Sequence, residues 1–427
     1  MMRLFTLLLI SFSTLSCEMI YEKLDDSFDK NDHENTEFDI PNNQIWYTST
    51  DGEVVEPYSG ENNEYADAFT TFGVDFVSNT YVDGKGVIEF DGDVTAIGDH
   101  AFYNCGSLTS VTIPDSVTEI GSSTFGWCDS LRSVTIGDSV TEIGGYAFYD
   151  CRSLQEFNGK FASEDGRCLI VDGTLNSFAP AGLTEYTIPY SVTTIGERAF
   201  YDCSSLTSVT IGDSVTTIGN SAFSLCDSLT SVTIPDGVTT IGSDAFRLCS
   251  SLTSVNIPDS VTEIGEYTFY YCRSLTSVTI GDSVTEIGEY TFYYCRSLTS
   301  VIIGDSVTTI GDYAFRDCNS LESATIGDSV TKIGDYAFYL CDSLTSITIP
   351  DSLSEIGYEA FYECYDLTSV YCKAITPPTA LTPNVFWNAF DYNASDRKFY
   401  VPIESVEEYK SARGWREYKS YIVGYNF

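Results

Sequence analysis

Between residues 95 and 372 the apolar positions recur with a single long period. A regular unit reads L-T-S-V-T-I-P-D-S-V-T-E-I-G-x-x-A-F-x-x-C-x-S, and eleven cysteines mark it, at 105, 128, 151, 203, 226, 249, 272, 295, 318, 341 and 364. Each step is 23 residues, except 151 to 203, which is 52, or 23 + 29. Every one of these cysteines follows a Phe by three residues, from Phe102 to Phe361, and an Ile-Gly pair by eight and seven, from Ile97-Gly98 to Ile356-Gly357. Self-similarity at a fixed period of this length predicts a solenoid of stacked coils, none of which buries its apolar side chains alone.

One coil illustrates the expected path. Leu108, Val111 and Ile113 point inward and Ser110 and Thr112 outward, an alternation with strand periodicity. Pro114-Asp115 makes a turn, because Pro fixes φ and Asp bonds its own backbone. Val117 and Ile120 return to the core on a second short extended segment, and Gly121 permits a tight bend. Phe125 and Cys128, spaced i and i+3, share the inward face of one short helical turn. Stacked at about 4.8 Å per coil, eleven coils make a rod of about 50 Å.

The flanks break the period. Arg3, the apolar run Leu4 to Ile10 and the serine-rich stretch Ser11 to Ser16 read as a signal peptide over 1–16, too short to span a membrane. Cys17 at the boundary is the expected lipidation site, with plain secretion as the alternative, and the acidic stretch to residue 44 is a flexible tether. Residues 45–94, with Asp51-Gly52 and Asp83-Gly84, read as strands joined at tight turns, an amino-terminal β cap. The long step holds a hairpin insert at about 157–186, and residues 373–427 form a strand-plus-helix cap over the last coil's open edge.

The unit resembles the BspA-like leucine-rich repeat family of bacterial surface lipoproteins over 95–372, most of the chain beyond the signal. That resemblance implies a right-handed leucine-rich repeat superhelix, mostly β with short helical turns, between a β-rich amino-terminal cap and an α+β carboxy-terminal cap. It also implies an exported protein, anchored by lipid at the outer membrane or cell surface, that adheres to host matrix proteins or to other bacteria.

Composition narrows the chemistry. With 62 Asp+Glu against 21 Lys+Arg the formal charge is −41, which excludes nucleic acid and anionic membrane surfaces as partners. Two histidines, His33 and His100, leave little for a histidine triad or metal site, and no cofactor or metal is expected. Ladder cysteines lie side by side with parallel Cα–Cβ vectors about 4.8 Å apart, whereas a disulfide needs converging Cβ atoms about 3.8 Å apart, so buried free thiols are expected. Cys168 and Cys372 stand outside that ladder and are possible exceptions.

Three surfaces are candidates. Asp115, Asp138, Asp213, Asp236, Asp259, Asp282, Asp305, Asp328 and Asp351 recur at the turn. They read as turn residues that keep the surface soluble, with calcium as the competing reading. Asp-Ser followed by Val, at Asp115, Asp138, Asp213, Asp259, Asp282, Asp305 and Asp328, or by Leu, at Asp129, Asp227, Asp342 and Asp351, also resembles an O-glycosylation acceptor, against a Ser that merely follows a turn Asp. Tyr267, Tyr270, Tyr271, Tyr290, Tyr293, Tyr294, Tyr313, Tyr336 and Tyr339 flank the core Phe in the later coils. They are the candidate binding residues, for an extracellular protein or a glycan, with packing over the core edge as the plainer alternative. The expected function is therefore a monomeric binding or adhesion protein. The runners-up are a glycan-binding or scaffolding module of an outer-membrane uptake system and, last, an enzyme using Asp165 to Asp172 of the insert.

Overall fold

The computed structural model describes residues 40–57, 71–380 and 388–427, so the signal peptide, Cys17 and most of the tether lie outside the described residues. The structure is a leucine-rich repeat solenoid, and each coil has three segments joined to their counterparts in the next coil. In the first, strands such as Ser208–Thr210, Ser231–Thr233 and Ser254–Asn256 pair in parallel, Ser on Ser. The central valine of each is buried and its neighbours face outward. In the second, two-residue strands such as Thr194–Ile195 and Thr217–Ile218 pair likewise through Ile on Ile.

The third segment refines the expected helical turn. Tyr270 and Cys272 donate their N–H groups to the carbonyls of Tyr267 and Phe269, three residues back. Between them the amides of Tyr267, Phe269 and Tyr271 donate onward to Glu289, Thr291 and Tyr293 of the next coil. This path requires a left-handed residue two after each Ile-Gly glycine and another just before each cysteine, as at Tyr267 (φ 57°) and Tyr271 (φ 61°). The left-handed region costs an L-residue roughly 1–2 kcal/mol. Three backbone bonds per coil offset that cost, each worth about 1 kcal/mol net.

Stacking like on like builds the core. Phe223, Phe246 and Phe269 are fully buried, with ring centroids 5.2 and 5.5 Å apart and planes within 2°. Each such ring contributes roughly 1.5–3 kcal/mol by leaving water. The cysteines beside them are free, and they do more than fill space. Cys249, Cys272 and Cys295 each donate S–H to the carbonyl of the preceding coil's Phe, at 3.1, 3.2 and 3.2 Å. Burial pushes the thiols up, to about 12 at Cys151. Cys168 and Cys372 are buried free thiols as well.

Tight coil contact explains the glycine of each Ile-Gly pair. A Cβ on Gly265 would lie 2.2 Å from the backbone nitrogen of Ser243 in the coil before it.

The ends are closed by pairing. Strand Gln44–Ser49 lies antiparallel between Lys85–Phe90 and the first coil's Leu108–Thr112, and Phe76–Val82 completes that cap. Asp83 and Gly84, both at positive φ, make its hairpin turn. At the other end Lys398–Pro402 and Ile422–Tyr425 extend the parallel sheet, flanked by the helix Val406–Ser411. Among the described residues no helix is long and apolar enough to cross a membrane.

Replacing Gly265 by Ala is expected to destabilise the protein by about 1–3 kcal/mol or more through overpacking against backbone, read as a lowered denaturant midpoint. In the native state at pH 8 a thiol reagent should leave the buried ladder cysteines unmodified and react with all of them on unfolding, because they are shielded and un-ionised.

Candidate functional site

The third segments place side chains in files along one edge of the coils. Two residues after the Ile-Gly glycine stand Tyr267, Tyr290, Tyr313 and Tyr336, with ring centroids 4.7, 4.5 and 4.8 Å apart and planes within 12°. Five residues after it, Tyr270 stacks on Tyr293 at 5.0 Å and Tyr339 on Tyr362 at 5.4 Å. Six after it, Tyr271 stacks on Tyr294 at 4.4 Å, within 2° of parallel. All nine expected tyrosines are brought together here, each half-buried.

Arginine is woven into the same surface. Arg316 occupies the gap in the second file, its guanidinium 4.5 Å from the Tyr339 ring centre and 5.8 Å from that of Tyr293, and it pairs with Asp317 at 3.2 Å. Arg247, Arg273 and Arg296 sit over Tyr270, Tyr271 and Tyr294 at 5.4, 4.8 and 4.2 Å. Sequence reasoning missed these arginines and Tyr362. The signal was present, since 247, 270, 293, 316, 339 and 362 share one position of the 23-residue unit.

Stacking decides what the surface offers. Ring faces within a file are covered by the next tyrosine, so edges and hydroxyls face outward. Burial pushes the phenols of Tyr290, Tyr293 and Tyr336 up to about 12, which keeps them neutral donors. Only Tyr339 of the nine spends its hydroxyl on a described residue, Glu363, at 3.4 Å.

Some of the other candidates are engaged by the fold, whereas Ser139, Ser306 and Ser329 are exposed. The carboxylates of Asp115, Asp259 and Asp305 accept the backbone N–H of Asp138, Asp282 and Asp328 at 3.0, 3.0 and 3.1 Å, so these three aspartates each bracket one coil to the next. Among the described residues no three His, Cys, Asp or Glu side chains converge on a metal-sized site. Ser116, Ser260 and Ser352 donate to the carbonyls of Val94, Val238 and Val330 at 2.7, 2.6 and 2.7 Å. In the insert, burial works to raise Asp165, but hydrogen bonds from Ser163, the Arg167 amide and Tyr186 outweigh it and hold the carboxyl below its usual range. That carboxylate thus ties the hairpin together.

The family model for the BspA type leucine rich repeat region matches residues 87–163, 174–299 and 285–389. A leucine-rich repeat protein from Bacteroides ovatus is similar at 28% identity over 88% of this chain and 98% of its own, with a TM-score of 0.52. A leucine rich cell surface protein from Faecalibacterium prausnitzii shows 29% identity over 80% of this chain and 88% of its own, at a TM-score of 0.44. The pneumococcal vaccine antigen PcpA shows 18% identity over 88% and 98%, at 0.41. No curated protein matches the chain.

Asp259→Ala should lower stability by about 0.5–1.5 kcal/mol through the lost bracket, and Asp259→Asn, which keeps the accepting oxygen, should retain most of it. Millimolar calcium should leave the Tm of the wild-type protein unmoved.

Proposed function

Because the chain belongs to the BspA-type leucine-rich repeat family, we propose that it is an exported surface protein that binds a partner protein through the tyrosine files. Leucine-rich repeat proteins are binding rather than catalytic folds, and a relative in Faecalibacterium prausnitzii is described as a cell surface protein. Arg3, the apolar run to Ile10 and Cys17 supply an export signal and a lipid anchor. The partners in view are host matrix proteins and the surface proteins of other bacteria.

The observation that carries this reading is the orientation of the rings. A sugar is held on an aromatic platform through the ring face, where the quadrupole is negative. Within these files the faces are spent on one another. What remains is a set of hydroxyls, ring edges and guanidinium groups, the chemistry that dominates protein interfaces. Most of these side chains lose little freedom on binding, because their neighbours already hold them.

Binding to immobilised matrix proteins and to whole bacterial cells tests the reading. Tyr290→Ala with Tyr293→Ala should weaken binding at least tenfold, and the corresponding Phe pair should fall between that variant and wild type. Affinity confined to a glycan array would transfer the role to an uptake system, and protein binding indifferent to both pairs would remove the tyrosines from it. Separately, Cys17→Ala should abolish incorporation of labelled fatty acid and release the protein from the cell.

A further inference from the structure

The insert interrupts every inter-coil ladder at one place, between the coil that ends at Cys151 and the coil that ends at Cys203. The first-segment sheet stops at Glu156–Asn158 and a new one starts at Glu185–Thr187. The second-segment ladder stops at Glu142–Ile143 and a separate sheet begins at the hairpin Cys168–Val171 and Thr174–Phe178. In the third segment, Ser123, Phe125 and Trp127 donate to Gly145, Ala147 and Tyr149 in the usual way. The next coil's equivalents, Tyr146, Phe148 and Asp150, make no such bonds to the coil beyond.

The core divides at the same seam. One apolar cluster starts at Ile45 and takes in Leu169 and Ala179 of the insert, and a second takes in Cys168, Leu175 and Phe178 of the same insert and runs to Ile422. The parallel phenylalanine stack breaks too: Phe148 meets Phe157 edge-on at 77°, Phe178 meets Phe200 tilted by 34°, and parallel stacking resumes at Phe200 and Phe223.

Side chains do most of the joining. Arg152 bridges Asp150, at 2.7 Å, and Asp202 across the seam, and the Tyr146 hydroxyl donates to Glu197. The Arg198 guanidinium lies 3.8 Å from the Tyr146 ring centre. Three backbone bonds through the insert run alongside: Ala181 N–H to the Leu154 carbonyl at 2.9 Å, Phe157 N–H to Gly166 at 2.7 Å and Ile170 N–H to Phe161 at 2.8 Å. A cleft of about 370 Å³ between Arg132 and Gln155 on one side and Ser204 and Ser205 on the other admits solvent to the joint.

We propose that this seam is a hinge: the solenoid is two bodies that open against each other, and the Asp150–Arg152–Asp202 bridge makes the opening pH-sensitive. In a repeat array cooperativity is carried by nearest-neighbour interface terms. Here that term lacks the ladders and a shared core, and the Arg152 bridge, whose two carboxylates are nearly buried while its guanidinium is exposed, sets a desolvation cost against its Coulombic gain. Sub-global opening follows such weak boundaries.

Asp202 supplies the pH dependence. Burial raises it, Arg152 opposes, and Asp150 raises it further, leaving it at about 6. Its other titratable neighbours, in a small pocket beside the cleft, are Tyr146, Tyr149 and Cys151 from the preceding coil and Arg198, Tyr201 and Cys203 from its own, while the insert contributes Asn176, Ser177, Phe178 and Pro180. A carboxyl raised in the closed form binds its proton more tightly there than in the open form. Closure is therefore favoured below about pH 6 and weakens as pH rises from 4 to 6.

Calorimetry and residue-resolved hydrogen exchange on the intact chain test this. Two transitions are expected, with residues 71–158 exchanging before residues 187–372, because three coils carry fewer interfaces than eight. The lower transition should sit several degrees higher at pH 5 than at pH 7.5, and Asp202→Asn should keep both transitions while abolishing that difference. A single transition with uniform exchange across the seam would overturn the hinge. A pH difference that persists in Asp202→Asn, or is absent from the wild type, would overturn the carboxylate trigger.

Discussion

Everything in this molecule depends on a spacing. When a coil is repeated at the separation of adjacent β-strands, each side chain must tolerate its own copy as nearest neighbour. Apolar rings meet the requirement by stacking parallel, as Phe223, Phe246 and Phe269 do. Small thiols meet it by passing a hydrogen bond to the preceding carbonyl instead of touching one another. Carboxylates are the hard case, since like charges at that distance repel. Asp115, Asp259 and Asp305 meet it by accepting a backbone N–H of the next coil on one carboxylate oxygen.

The same rule shapes the outer edge. Tyrosines at successive coils cover one another's faces: Tyr290 and Tyr313 have a tyrosine on both sides, and in the shorter file Arg273 and Arg296 lie over Tyr271 and Tyr294. An aromatic residue on an isolated helix or loop has no such restriction. Repetition thus converts a flat, apolar residue into a file of polar tips. The arginines laid against it place positive groups on a chain whose formal charge is −41.

Much of this was legible in the sequence, and for one reason. The period assigns each residue to a position of the coil, so the buried Phe, Val, Ile and Cys files and the tyrosine clusters follow from counting. What the period does not carry is backbone conformation. Tyr267, Leu248 and Arg198 share left-handed φ with no glycine to announce it, and the thiols' role as donors depends on where a carbonyl of the previous coil points. Arg316 was hidden because a cation breaks the residue type of its file while keeping its place. The 52-residue step was plain, but that all three ladders and the core would part at the same point emerges only in three dimensions.

Near-identity of the coils has a cost in folding. Residues 266–278 and 289–301 are the same thirteen letters, so a chain mispaired by one whole coil keeps almost every contact of the correct one. Such a slip is nearly isoenergetic in the interior and is penalised only where the sequence stops repeating. The closing strands at the two ends and the irregular hairpin at 157–186 are those places. They act as phase markers, counting coils during assembly, and the least regular parts of the protein are what give the regular part a unique length.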